Sequence, residues 1–126
     1  GDSLNPAIDI GQVEGAFVQG MGWLTTEELV WNAKGKLMTN GPASYKIPAV
    51  ADMPLDLRVK LVENRKNPED TVFHSKAVGE PPFMLGIASW CAIKDAVASL
   101  GDYRHQPQID APATPERLLR ALGGLD

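Results

Sequence analysis

Behind the adjacent prolines Pro81-Pro82 runs the stretch Phe83-Met84-Leu85-Gly86-Ile87-Ala88-Ser89-Trp90-Cys91-Ala92-Ile93-Lys94-Asp95-Ala96-Val97, which is apolar nearly all round. A helix without a polar face has no side to give to water, so it belongs inside a larger body. The prolines suit its first turn, where a missing N–H leaves no bond unmade. Directly before them stand Gly79 and Glu80. Gly79 allows backbone angles that a Cβ forbids, and Pro81 biases Glu80 out of the helical region toward an extended conformation. The pattern predicts a carboxylate on a fixed turn at the entrance of a buried helix, where poor hydration favours a general base. The same spacing also suits a plain N-terminal charge placed against the helix dipole.

The chain opens with a second helical signal. Asn5 is a natural N-cap and Pro6 a natural first residue, so a helix is expected to run to about Leu24. Gly11, Gly15, Gly20 and Gly22 each cost this helix about 1 kcal/mol relative to alanine, so packing must hold it. Small residues also permit close approach of another element or a cofactor. Gln12, beside Gly11, presents an amide with both donor and acceptor there, and Gln19 shares roughly its face seven residues on.

The middle of the chain reads as strands. Glu27–Trp31 and Lys36–Thr39 flank the turn Asn32-Ala33-Lys34-Gly35 as a hairpin. Glu27 and Glu28 are adjacent, so in a strand they face opposite sides and form no catalytic pair. Leu57–Val62 alternates apolar and basic residues like a strand with one wet face, and Thr71–His74 reads as a short strand leading to Glu80. A short helix is expected over Pro115–Leu122. The predicted fold is α+β over residues 1–126, one domain incomplete on its own. It has a mainly antiparallel sheet flanked by the N-terminal glycine-rich helix, a long buried helix after Pro82 and the short C-terminal helix.

Composition narrows the function. With 126 residues, 44% of them hydrophobic, there is chain for one modest core. A net charge of -4 with no basic patch gives no reason to expect a nucleic acid or an anionic membrane. Lys94 and Asp95 interrupt the apolar helix, so no membrane span is expected, and a soluble, cytoplasmic protein is the reading. Cys91 is the sole cysteine, which leaves no internal disulfide or multi-cysteine cluster, and it is expected to pack as a small buried hydrophobe. His74 and His105 lack a ligand pattern, so no metal ligand is assigned, though His74 could support Glu80. Gly1-Asp2-Ser3-Leu4 opens without methionine, and the chain reads as a piece of a longer polypeptide.

Lys76-Ala77-Val78-Gly79-Glu80-Pro81-Pro82 resembles the glutamate motif of the xanthine dehydrogenase/oxidase family of molybdenum hydroxylases. Asn5 to Gly20 resembles the segment that carries a glutamine to the molybdenum centre. Gly41-Pro42 with Tyr45-Lys46-Ile47-Pro48, and Ala111–Glu116, are similar to the family pattern in the same order. The resemblance implies the last part of a molybdopterin-binding region, with iron–sulfur clusters and FAD elsewhere in an oligomeric parent whose other parts or subunits are this chain's partners. It implies oxidation of a purine, hypoxanthine or xanthine, with oxygen derived from water. Glu80 would then be the general base that activates a hydroxide at molybdenum, while Gln12 and Gly79 would bind the cofactor. The isolated piece is expected to be inactive. Two alternatives stay open: an enzyme of the aldehyde oxidase branch, and a noncatalytic interface module.

Overall fold

The computed structural model describes residues 1–123, and its first element follows the local signals closely. Helix α1 spans Pro6–Thr25, with the Asn5 side chain accepting a hydrogen bond from the Ile8 N–H at 3.3 Å. It ends where the N–H groups of Thr26 and Glu27 both close on the Gly22 carbonyl at 3.0 Å. Helix α2 spans Ile87–Leu100 and helix α3 Pro115–Gly123. A 3-10 segment, Pro81–Gly86, leads directly into α2.

Gly20 and Gly86 carry the main junction. A Cβ on Gly20 would lie 2.2 Å from the Phe83 carbonyl oxygen, and one on Gly86 would lie 2.3 Å from the Gly20 carbonyl carbon. Backbone therefore meets backbone where α1 crosses the 3-10 segment, an approach no other residue permits. The Trp23 and Phe83 rings close the junction at 5.1 Å between centroids. A separate apolar cluster joins α2 to α3: Val97, Ile109 and Ala113 are buried, with Trp90, Ile93 and Leu118 packed against them.

The expected antiparallel sheet is absent. Among the described residues there is no strand, and the hairpin shrinks to one bridge between Trp31 and Leu37. Its turn forms as expected, with Gly35 at φ 74° and the Asn32 side chain accepting from the N–H groups of Lys34 and Lys36. The ladder stops because the Val30 N–H turns to the Thr39 hydroxyl at 3.0 Å, a side chain taking a backbone partner's place. In Leu57–Val62 the alternation is real: Leu57, Val59 and Leu61 are half-buried between exposed Arg58, Lys60 and Val62. Alternation describes an extended chain, however, and a strand also requires a neighbour. Residues 72–74 form a 3-10 turn instead, with Phe73 and His74 at φ 54° and 51°, angles that no strand accommodates.

The long helix after Pro82 also differs from expectation. It is part 3-10, and its outer residues Met84, Leu85, Ile87 and Leu100 are exposed rather than buried, because among the described residues the helices packed on it are α1 and α3. Cys91 is likewise exposed rather than packed as a buried hydrophobe. The whole stretch Pro81–Leu100, 20 residues with mean hydropathy 1.4, is long and apolar enough to cross a membrane by length and composition, so Lys94 and Asp95 do not shorten it as expected.

Polar ties fasten the remainder. The Tyr45 hydroxyl donates to Glu27 at 2.6 Å, and Arg117 reaches Glu28 at 2.9 Å and the Pro112 carbonyl at 2.8 Å. Both glutamates are thus structural, although no strand separates them. The hydrogen bond to Glu27, then burial, then the negative charge of Glu27 hold the Tyr45 phenol above its usual pKa of 10.0. The folded pKa is the higher one, so this tie stabilises the fold below pH about 10 and is lost as pH rises through the shifted value. In Glu27→Gln, phenolate absorbance during an alkaline titration should show Tyr45 ionising at lower pH; an unmoved titration would mean that Glu27 is not the cause.

The glycines of α1 should respond in opposite ways. Gly20→Ala should destabilise by about 1–3 kcal/mol, because backbone atoms cannot yield to the new methyl group. Gly15→Ala meets nothing within 4 Å and should stabilise by up to about 1 kcal/mol. Urea unfolding midpoints of the two variants check the pair.

Candidate functional site

The Gly20–Gly86 junction determines where the motif of Glu80 falls. From Phe83, pinned beside Gly20, the chain leads back along α1 to Gly79, where a Cβ would stand 3.3 Å from the Gln12 side-chain oxygen. The strap 79–83 therefore runs beside the helix from the level of Gln12 to that of Gly20. Its upstream anchor is Asn67, buried in the loop before it. The Asn67 amide donates to Thr71 and to the Ser75 carbonyl at 3.2 and 3.3 Å, and the Thr71 hydroxyl donates to the same carbonyl at 2.8 Å.

Glu80 itself is helical, with φ -81° and ψ -37°, not extended as its place before Pro81 predicts. The steric bias against a helical residue before proline is a preference. Here it is outweighed by the 3-10 turn, in which the Phe83 N–H donates to the Glu80 carbonyl at 2.9 Å. Two rings in succession then hold the φ angles of Pro81 and Pro82, so the carboxylate projects from a stiff turn.

Strap and helix enclose a cleft of about 460 Å³ lined by Gln12, Ala16, Gln19, Gly79, Glu80 and Phe83. All three residues singled out from the sequence, Glu80, Gln12 and Gly79, meet there. Gln19 joins them, as its shared helix face implies. Ala16 and Phe83 were not foreseen: only the i, i+4 spacing from Gln12 could have indicated Ala16, and Phe83 depends on the crossing at Gly20. Glu80 and Gln12 are exposed, so among the described residues no element withholds water from the carboxylate as the reading of a buried helix entrance supposes. His74 lies away from this chemistry, its Nδ1 3.3 Å from the Glu69 carbonyl. Among the described residues no cluster of three or more His, Cys, Asp or Glu could hold a metal ion.

The walls fit a flat, polar organic cofactor at one end. Gly79 leaves open a space that a Cβ would fill, 3.3 Å from the Gln12 side-chain oxygen. Beside that backbone the Gln12 amide can donate and accept.

Comparison with known proteins shows what the chain is similar to. A family model described as "Molybdopterin cofactor-binding domain" matches residues 1–54. Xanthine dehydrogenase/oxidase of Rattus norvegicus is 52% identical over 126 residues, a match covering 96% of this chain and 9% of that protein. Xanthine dehydrogenase of Oryza sativa subsp. japonica is also 52% identical, over 96% of this chain and 10% of its own length. The chain thus spans about a tenth of these relatives. Among solved structures, quinoline 2-oxidoreductase from Pseudomonas putida 86 superposes with a TM-score of 0.82 at 31% identity, covering 98% of this chain and 15% of its own. A Cu,Mo-CO dehydrogenase shares the fold with a TM-score of 0.76 at 23% identity.

Contact between Gln12 and Gly79 predicts a coupling. Gly79→Ala should cost less than about 1 kcal/mol, since the neighbour is the end of a flexible side chain, and less again when Gln12→Ala has removed that neighbour. A double-mutant cycle on unfolding free energies should return about 0.5 kcal/mol, whereas strict additivity would show that the two do not touch.

Proposed function

Because the chain belongs to the xanthine dehydrogenase/oxidase family, of whose molybdopterin-binding region it is a segment, we propose that it supplies the general base and one cofactor wall of a molybdenum-dependent purine hydroxylase. The observation that carries this reading is the meeting of Glu80, Gln12 and Gly79 in one cleft, although 66 residues separate Gln12 from Gly79 in sequence.

The bound molybdenum cofactor would supply the two-electron oxidation of the purine carbon. The residues of this chain would orient and move a proton. Glu80 would accept the proton of the water-derived nucleophile through its carboxylate, which the 3-10 turn and two prolines hold at the cleft edge. Removing a base in this role costs about 100- to 10,000-fold in rate. Gln12 would hold the cofactor through its amide, and Gly79 would let the cofactor approach backbone. The hard redox chemistry stays with the cofactor, while orientation falls to the protein.

Remaining parts of the parent enzyme, carrying iron–sulfur clusters and FAD, would be the immediate partners. They would cover Met84, Leu85 and Ile87, whose exposed apolar surface suits contact with protein. A cytoplasmic parent accords with the exposed thiol of Cys91, which a reducing compartment maintains.

In the parent enzyme, Glu80→Gln preserves size and polarity but not proton acceptance. Xanthine turnover should fall at least about 100-fold with molybdenum content per protein unchanged. Wild-type turnover in a metal-replete variant would remove Glu80 from the chemistry.

A further inference from the structure

The loop before the strap holds a polar knot that the base and cofactor assignments leave unused. Asn67 is a buried polar residue, 8% exposed, and both ends of its amide have partners. Its oxygen accepts from the Glu69 N–H at 3.2 Å, while its nitrogen donates to the Thr71 hydroxyl at 3.2 Å and to the Ser75 carbonyl at 3.3 Å. The Thr71 hydroxyl donates to the same carbonyl at 2.8 Å. Two donors from different residues thus converge on one backbone oxygen.

The backbone inside this knot is strained. Phe73 and His74, between Thr71 and Ser75, stand at φ 54° and 51°, left-handed angles that cost free energy in a residue with a Cβ and persist where surrounding bonds over-determine them. Bonds of that kind close the turn: the His74 N–H donates to the Thr71 carbonyl at 2.9 Å, and the Ser75 N–H to the Val72 carbonyl at 3.1 Å. If the Asn67 amide is removed, the turn is freer to relax, and the direction in which Ser75 sends the chain changes with it. Among the described residues, 76–79 make no backbone–backbone hydrogen bond. The course of this segment is therefore set chiefly at its ends, by the knot at Ser75 and by the turn that the Phe83 N–H closes on Glu80.

We propose that Asn67 is a positioning residue for proton transfer, which through the Ser75 carbonyl fixes the strap and with it the place of the Glu80 carboxylate. The proposal rests on the reading of Glu80 as the base. Asn67 does not line the cleft, so its effect falls on the chemical step rather than on binding. A displacement of about 1 Å from productive geometry costs about 100-fold in rate. Thr71 still holds the Ser75 carbonyl when Asn67 is gone, so the loss is partial.

The test uses the metal-replete parent enzyme in four forms: wild type, Asn67→Ala, Glu80→Gln and the double variant. The readouts are kcat and KM for xanthine and molybdenum per protein. Asn67→Ala should lower kcat about tenfold, with KM within about twofold and metal content held. In the Glu80→Gln background the same substitution should change the residual rate less than about twofold, because no base is left to misplace. Asn67→Asp keeps the shape and the bond from Glu69 but sets an oxygen against the Ser75 carbonyl. It should show the same Glu80-dependent loss, and it carries the test where the alanine variant does not fold. Unchanged kcat in the Asn67 variants, an equal loss in both backgrounds, a loss confined to KM, or loss of molybdenum would each overturn the proposal. Wild-type turnover in Glu80→Gln removes the base itself, whereas a collapsed rate in Glu80→Gln beside an unaffected Asn67→Asp removes only the role of Asn67.

Discussion

The contact on which the rest of the structure depends is backbone against backbone at Gly20 and Gly86. Side chains elsewhere bury little: among the described residues a handful of apolar ones are below the surface, Ala16, Leu24 and Val97 included. Ordinary core packing therefore fixes few relative positions. The glycine crossing fixes one, and from it the strap 79–83 takes its register along α1. Glycine weakens a helix by about 1 kcal/mol in isolation. At Gly20 that cost is offset by an approach that places a carboxylate opposite a row of helix residues.

What could be read from the sequence divides along a physical line. Features decided within a few residues were legible. The Asn5 cap with Pro6 behind it, the Asn32–Gly35 turn and the helix from Pro115 each depend on local backbone chemistry, and each forms. Features that need a distant partner were not. The alternation at Leu57–Val62 correctly separates inner from outer side chains, yet it is blind to whether a second strand lies alongside. Phe73 and His74 adopt left-handed angles that nothing in their side chains requires. At Glu80 two local preferences opposed each other, and the 3-10 hydrogen bond prevailed over the pre-proline bias.

The candidate site was legible in a different way. Nothing in composition or periodicity brings Gln12 to Gly79; the family resemblance singled out both residues, and the crossing of two helical segments shows why they meet. Phe83 escaped notice because it reads as one more apolar residue of a long helix. Its role as a wall emerges only once the Gly20 contact turns that face toward α1. Similarly, the apolar character of Pro81–Leu100 was plain, while the side left open to water depends on how little of the helix α1 and α3 can cover.

Glu80 owes its place chiefly to backbone geometry: a turn, two proline rings and a glycine crossing behind them. Its carboxylate sits at an open edge, and in the proposed enzyme other parts would complete its environment. Skeleton and surroundings are thereby separable. A lineage could exchange the covering surface, and with it the molecules admitted, while leaving untouched the part that aims the acid group. The scaffold works as a fixed mount on which different enclosures can be fitted.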